Sequence, residues 1–115
     1  MQTIRFEFLL AFQKEFARLS RKFRSLPADF EYFKQYIITP NPAGPSQHRT
    51  VLYRGEGLCI VKGHLFCRSL RRDSLRIIYA YHADRITIVW IEVYHKAEKA
   101  NEDRARIAEY VRSLG

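Results

Sequence analysis

Apolar and polar positions alternate along Leu58 to Lys96 with a period of two, which predicts three consecutive strands. The first runs over roughly Leu58–Cys67, the second over Ser74–His82 and the third over Arg85–His95. Their β-branched and aromatic content is dense, and polar breaks fall at Arg71–Ser74 and Ala83–Asp84. Connections this short predict an antiparallel meander, because parallel neighbours need a crossover of a dozen or more residues. Successive strand side chains point to opposite faces. One parity collects Cys59, Val61, Leu65 and Cys67, then Leu75, Ile77, Tyr79 and Tyr81, then Thr87, Val89, Ile91 and Val93: the expected core side. The other collects Lys62, His64 and Arg68, then Arg76, then Glu92, Tyr94 and Lys96. The pattern predicts one greasy face and one that gathers basic and titratable groups at one end.

Before the meander, Thr3–Phe8 alternates as a short strand. Phe8, Phe12, Phe16, Leu19 and Phe23 then recur at helical spacing, with Lys14, Arg18, Arg21, Lys22 and Arg24 on the other side. Ser25-Leu26-Pro27 reads as a cap and helix entry, with Asp29 in the first turn, where a negative charge suits the helix dipole. Phe30, Phe33 and Ile37 are expected inward, and the helix ends before Pro40. Thr39–Thr50 holds three prolines and a glycine and is a loop. Val51–Gly57 is open between an extension of the first meander strand and an edge turn. Asn101 is the expected cap of a last helix, with Glu102 and Asp103 in its first turn and Ile107, Tyr110, Val111 and Leu114 as its apolar stripe. The expected architecture is α+β, β-α-α-β-β-β-α, in one domain over residues 1–115. Its sheet is four-stranded and mainly antiparallel, with the two N-terminal helices packed on one face and the last helix at the side.

Composition changes this picture in one respect. Lys plus Arg number 20 against 12 Asp plus Glu, a formal net charge of +8, which favours a polyanionic partner. No apolar run reaches the ~20 residues of a membrane span, so no membrane role is expected. The start, where Glu7 interrupts the apolar run, does not read as a signal peptide; a cytoplasmic protein is expected. Cys59 and Cys67, eight residues apart on one strand, would lie roughly 26 Å apart, beyond disulfide reach, so both are expected as buried thiols.

The familiar nucleotide, hydrolase and zinc motifs are absent from the sequence. A phosphate-directed ribonuclease needs none of them. RNA carries its own 2′-OH nucleophile, and the enzyme supplies a base, cations for the phosphate and an acid for the leaving oxygen.

The element order, the basic residue opening RIIYAY and the basic cluster ending the third strand resemble the RelE/ParE toxin superfamily of toxin–antitoxin modules. The stretch CRSLRRDSLRIIYAYHADRITIVWIEVYHKAEKANEDRARI is especially similar to RelE-type toxins. The resemblance implies a metal-independent, cofactor-free endoribonuclease that cleaves mRNA in the ribosomal A site and is neutralised by a small antitoxin, expected to be acidic and partly disordered. Carried over, Arg76 contacts the scissile phosphate, and Lys96, with His95 beside it, stabilises the transition state or protonates the leaving oxygen. Lys62 and His64 supply further basic groups. The family's late catalytic tyrosine has no counterpart at Ala100-Asn101-Glu102, which leaves Tyr94, Glu92 or His64 to take its part. Arg68, Arg71, Arg72 and Lys99 are expected on the RNA backbone. Blander roles stand beside these: a surface ion pair of Arg76 with Glu92 or Asp73, and Glu92 as a structural partner of Arg68 or Arg76. The same fold also serves gyrase inhibitors and could carry a binding module whose catalytic centre has decayed.

Overall fold

The structure, a computed structural model, describes residues 3–114. The elements follow as β1 (Arg5–Phe8), α1 (Leu10–Lys22), α2 (Leu26–Phe33) running into a π-helical turn (Lys34–Ile38), β2 (Arg49–Gly55), β3 (Leu58–Phe66), β4 (Ser74–His82), β5 (Thr87–His95) and α3 (Arg104–Ser113). The sheet has five strands in the order β1-β5-β4-β3-β2, not four. Val51–Gly57 resolves as most of β2 and its turn: β2 pairs antiparallel with β3 across Glu56-Gly57, where Gly57 takes the left-handed φ of +68° that a tight hairpin requires. The antiparallel meander β3-β4-β5 matches the sequence pattern. β1 joins the edge of β5 in parallel, with α1 and everything after it as the crossover.

Helices α1 and α2 cover one face. Phe12, Leu19, Phe23, Leu26, Phe30 and Phe33 pack on Val61, Leu65, Leu75, Ile77 and Tyr79, with Trp90 at the centre, in contact with the rings of Phe6, Phe12, Phe30 and Tyr79. Ile38, not Ile37, turns into this core, because the wider π turn shifts the buried stripe by one residue. Cys59 and Cys67 are buried free thiols, as expected.

Strand β5 departs from strict alternation. Ile78 pairs with Glu92 and Tyr79 with Trp90, so Ile91 is an extra residue in a β-bulge. Before the bulge, Ile88 and Trp90 face the N-terminal helices. Thr87, Val89 and Ile91, expected there, turn to the opposite face, and Val93, beyond the bulge, returns to the helix side. The opposite face is therefore not bare. Ile60, Ile78, Ala80, Val89 and Ile91 form a second, smaller core under Ile107, Tyr110 and Val111 of α3, which packs on this face rather than at the side. The cap of α3 is Asp103, whose carboxylate accepts from Arg106 N at 3.0 Å, and not Asn101. Tyr110 Oη lies 2.6 Å from His82 Nε2.

Among the described residues no strand pairs with the edge of β5 beyond Phe8, and side chains satisfy it. Glu15 of α1 accepts from Val93 N, and Arg106 of α3 donates to Ile91 O. The two side chains close a bidentate pair at 3.0 and 2.8 Å, clamping both helical layers to the bulge. Among the described residues no helix is long and apolar enough to cross a membrane.

Candidate functional site

Pairing across β3, β4 and β5 lays titratable side chains in two rows on the α3 side of the sheet. His64, Arg76 and Tyr94 form one row; Lys62, Ile78 and Glu92 form the next. The bulge at Ile91 brings Glu92 and Tyr94 into these rows. The end of the sheet near Phe66 and Ser74 lies beyond α3's apolar stripe, so the row with Arg76 borders open space.

Arg76 is held from behind. Its Nη1 donates to Ser74 O at 2.9 Å and Ser74 Oγ at 2.7 Å, and lies 3.8 Å from Asp73 Oδ1. Only 12% of the side chain is exposed, so the guanidinium is pre-positioned. The opposite residue, His64, is half-buried. Burial, then the positive charges of Arg76, His48 and Lys62, pull its pKa below the ordinary 6.5, so the imidazole is neutral at pH 7.

Lys62 Nζ donates to Glu102 Oε1 at 2.9 Å. Burial opposes the ammonium, but Glu102 and Tyr94 outweigh it and push the pKa of Lys62 up. Tyr94 is buried beside it, with its hydroxyl close enough to act on the Lys62 ammonium. Glu92 is wholly buried and spent on structure. One carboxylate oxygen accepts from Lys99 Nζ and the other from Asp103 N at 2.9 Å. Its partners are thus neither Arg68 nor Arg76. Lys99, expected on phosphate, is tied to Glu92 with its ammonium 5.1 Å from the Tyr94 ring centroid.

The loop between β3 and β4 folds over the end of the sheet and bounds a cleft of about 890 Å³. Its walls include Tyr32, His64, Phe66, Arg71, Arg72 and Arg76. The loop is fastened to α2 and the turn before it. Ser69 and Ser25 exchange hydrogen bonds, and Asp29 accepts from Arg68 N and Nε, both at 2.8 Å. Arg68 therefore anchors the loop while still lining the cleft, exposed like Arg71 and Arg72. Burial raises the pKa of Asp29, but the Arg68 amide, Ser25 and the Arg68 guanidinium more than offset it, and the net shift is downward. A depressed carboxylate pKa stabilises the fold above the unfolded-state value, and that stability is lost as pH falls through the folded one. Asp29→Asn is expected to cost about 1 kcal/mol at pH 7 and nothing once both states are protonated. Urea melts at pH 7 and in acid below both the folded and unfolded carboxyl pKa check this.

Two expected residues lie apart from the rows. His95 pairs with Leu75 and turns to the helix side, where its ring meets the edge of Phe23 and Nε2 lies 3.2 Å from Asp73 Oδ2. Lys96 is exposed in the turn after β5. The structure adds groups that sequence reading passed over. Ser74 holds Arg76, Glu102 reaches Lys62 from forty positions away, and Tyr32 and Phe66 line the cleft as exposed aromatics. Local pattern carries no signal for the first two; an exposed Phe at the end of a strand of the active parity was a visible one. Tyr110, a tyrosine within α3, is occupied by His82 at the other end of β4 and takes no part here.

No family model matches the sequence, and no curated relative is found. The fold does recur in solved structures. A mutant of the E. coli toxin RelE in the free state superposes with a TM-score of 0.55 at 16% identity, covering 99% of this chain and 100% of that one. The archaeal RelE in a RelE–RelB complex from Pyrococcus horikoshii OT3 gives 0.53 at 13% identity, covering 81% and 94%. The arrangement of helices and sheet described above is that of the RelE toxins.

Proposed function

We propose that this chain, which has the RelE fold, is the toxin of a toxin–antitoxin module and an endoribonuclease that cleaves mRNA on the ribosome. The observation that carries the reading is His64 set directly across from the pre-positioned Arg76, at the mouth of an arginine-lined cleft, where its lowered pKa favours the neutral form that a base needs. In this reading His64 takes the proton of the 2′-OH, whose oxygen attacks the phosphorus. Arg76 holds the phosphate and neutralises the charge that develops on it. Lys62 supplies a second cation when the phosphate displaces Glu102, and that displacement opens the buried Tyr94 hydroxyl beside Lys62 to give a proton to the leaving 5′-oxygen. Arg71 and Arg72 follow the backbone of the strand. The substrate provides the nucleophile, so the scheme uses no metal or cofactor. The protein acts in the cytoplasm, where its ribosomal substrate is.

The neutralising partner is an acidic, partly disordered antitoxin drawn to the basic surface. The net charge of +8 and the RelE–RelB neighbour support it.

Purified protein added to mRNA-programmed ribosomes tests the reading, with cuts mapped by primer extension. Intact mRNA together with blocked gyrase supercoiling would overturn it in favour of a gyrase inhibitor. Silence in both assays with tight antitoxin binding would reveal a module that has lost its chemistry. The pH profile gives a sharper check. A base must be deprotonated to act, so cleavage should rise with pH through the lowered His64 pKa and level off above it. His64→Ala should cut the plateau by about 10²-fold and abolish that acid limb.

A further inference from the structure

Next to the phosphate site stand aromatic rings, those of Phe66, His48 and Tyr32, that the cleavage scheme does not use. Phe66 ends β3 with the parity of Lys62 and His64, and it pairs with Ser74, the residue that holds Arg76. It is 58% exposed, an unusual state for a phenylalanine at the end of a strand in which Cys59, Ile60, Val61 and Leu65 are buried. Its ring has company. The His48 ring meets it nearly perpendicular at 5.0 Å, and the His64 centroid lies 6.5 Å away. The rings of His48 and His64 lie 5.7 Å apart and tilted by 31°. His48 itself is fixed by its carbonyl, which accepts from His64 N at 3.0 Å. On the other wall of the same cleft Tyr32 is 61% exposed.

An exposed apolar ring among Arg71, Arg72 and Arg76 suits one ligand chemistry well. Single-stranded nucleic acid brings a planar π-face with every anionic group, and such strands are commonly held by aromatic rings beside basic side chains. A plain hydrophobic partner would leave the arginines unpaired, and a duplex would hide its base faces in the stack. We infer that Phe66, buttressed by His48 and His64, is a stacking platform for a nucleobase of single-stranded RNA, placed beside the phosphate held by Arg76. Two residues apart on one face of β3, Phe66 and His64 stand roughly 6.6 Å apart along the strand. The stacked base therefore belongs to a nucleotide flanking the cut. Stacking tolerates any base, so the platform fixes the register of the strand without demanding a sequence.

The inference rests on the ribonuclease reading, and its test separates the two. Programmed ribosomes carrying mRNAs with a single abasic residue, moved through the positions around the cut, are exposed to the wild type, Phe66→Ala and Phe66→Trp. Wild-type kcat/KM should fall about 10-fold for one abasic position. Phe66→Ala should lose about as much on intact mRNA and lose nothing further at that position, while Phe66→Trp restores cleavage. Its thermal midpoint should stay near that of the wild type, because the ring is largely exposed. Cleavage that depends on Arg76 but is unchanged in Phe66→Ala would sink the platform alone, as would losses that add at every abasic position. A chain that cuts no mRNA, yet loses antitoxin affinity in Phe66→Ala, would overturn both readings and assign the ring to a protein ligand.

Discussion

Arg76→Ala is expected to lower mRNA cleavage on programmed ribosomes by about 10²–10³-fold, the usual cost of removing one pre-positioned donor from a developing charge. The fold should survive. The guanidinium bonds only to the neighbouring Ser74, and Asp73, its other contact, is well exposed and can be solvated. A shift of the thermal midpoint by less than about 5 °C separates lost chemistry from lost structure. Arg76→Lys should recover part of the rate, since it restores a charge without the planar fork. The same substitution has a consequence independent of any substrate. Arg76 is, after burial, the leading reason that the His64 pKa is low. Without it that pKa should move up, and the acid limb of the pH profile with it. An NMR titration of the His64 ring in Arg76→Ala reads this directly. An unmoved His64 together with a rate within about threefold of wild type would remove Arg76 from the site.

Arg49→Ala should be the most destabilising of the substitutions considered, by about 3 kcal/mol. Arg49 is a buried cation at the start of β2, and three groups depend on it. Its Nη1 donates to Asn41 O and, at 3.0 Å, to Tyr79 Oη, and its Nε donates to Ser46 Oγ at 3.0 Å. Tyr79 in turn donates to Pro42 O at 2.8 Å. The proline-rich loop is thus fastened to the centre of the sheet by one side chain, and Gly63 makes room for it: a Cβ there would meet Arg49 Cγ at 3.2 Å. Burial pushes the Tyr79 hydroxyl up to about 12 despite the adjacent guanidinium, so Tyr79 stays a neutral donor throughout the accessible range. Truncating Arg49 leaves buried acceptors without a donor, which costs more than the bonds themselves were worth. A fall in melting temperature of roughly 10–15 °C is expected. A change below about 3 °C would show that water or the loop itself replaces the guanidinium. Arg49→Lys should be nearly as damaging, because one ammonium cannot reach three separated acceptors in this geometry.

Arg49 also marks the limit of local reading. In the sequence it is one of many basic residues beside a loop, and nothing nearby announces burial. The meander was legible because a half-buried strand must alternate, and β4 begins and ends where the pattern places it, at Ser74 and His82. Facing assignments on β3 and β4 held for the same reason, and they put Lys62, His64 and Arg76 on one surface. Alternation failed on β5, where the bulge at Ile91 inserts one residue and reverses which side chains see the helices. It failed again at Ile37 and Ile38, where a π turn does the same to a helix. The occupations of Glu92, Arg68 and Lys62 were out of reach for another reason: their partners Lys99 and Asp103, Asp29, and Glu102 lie on other elements.

Periodicity is a property of neighbouring residues, so the chain's own pattern sufficed for element type, for the antiparallel meander and for a basic row on one sheet face. Which cations stay available to a ligand depends on distant parts of the chain meeting in space. Packing settled that Arg68 and Lys99 are held by carboxylates, that β1 lies parallel at the edge of β5, and that α3 packs on the second face. A carboxylate or a bulge tens of residues away redirects a side chain without leaving any mark on the sequence around it.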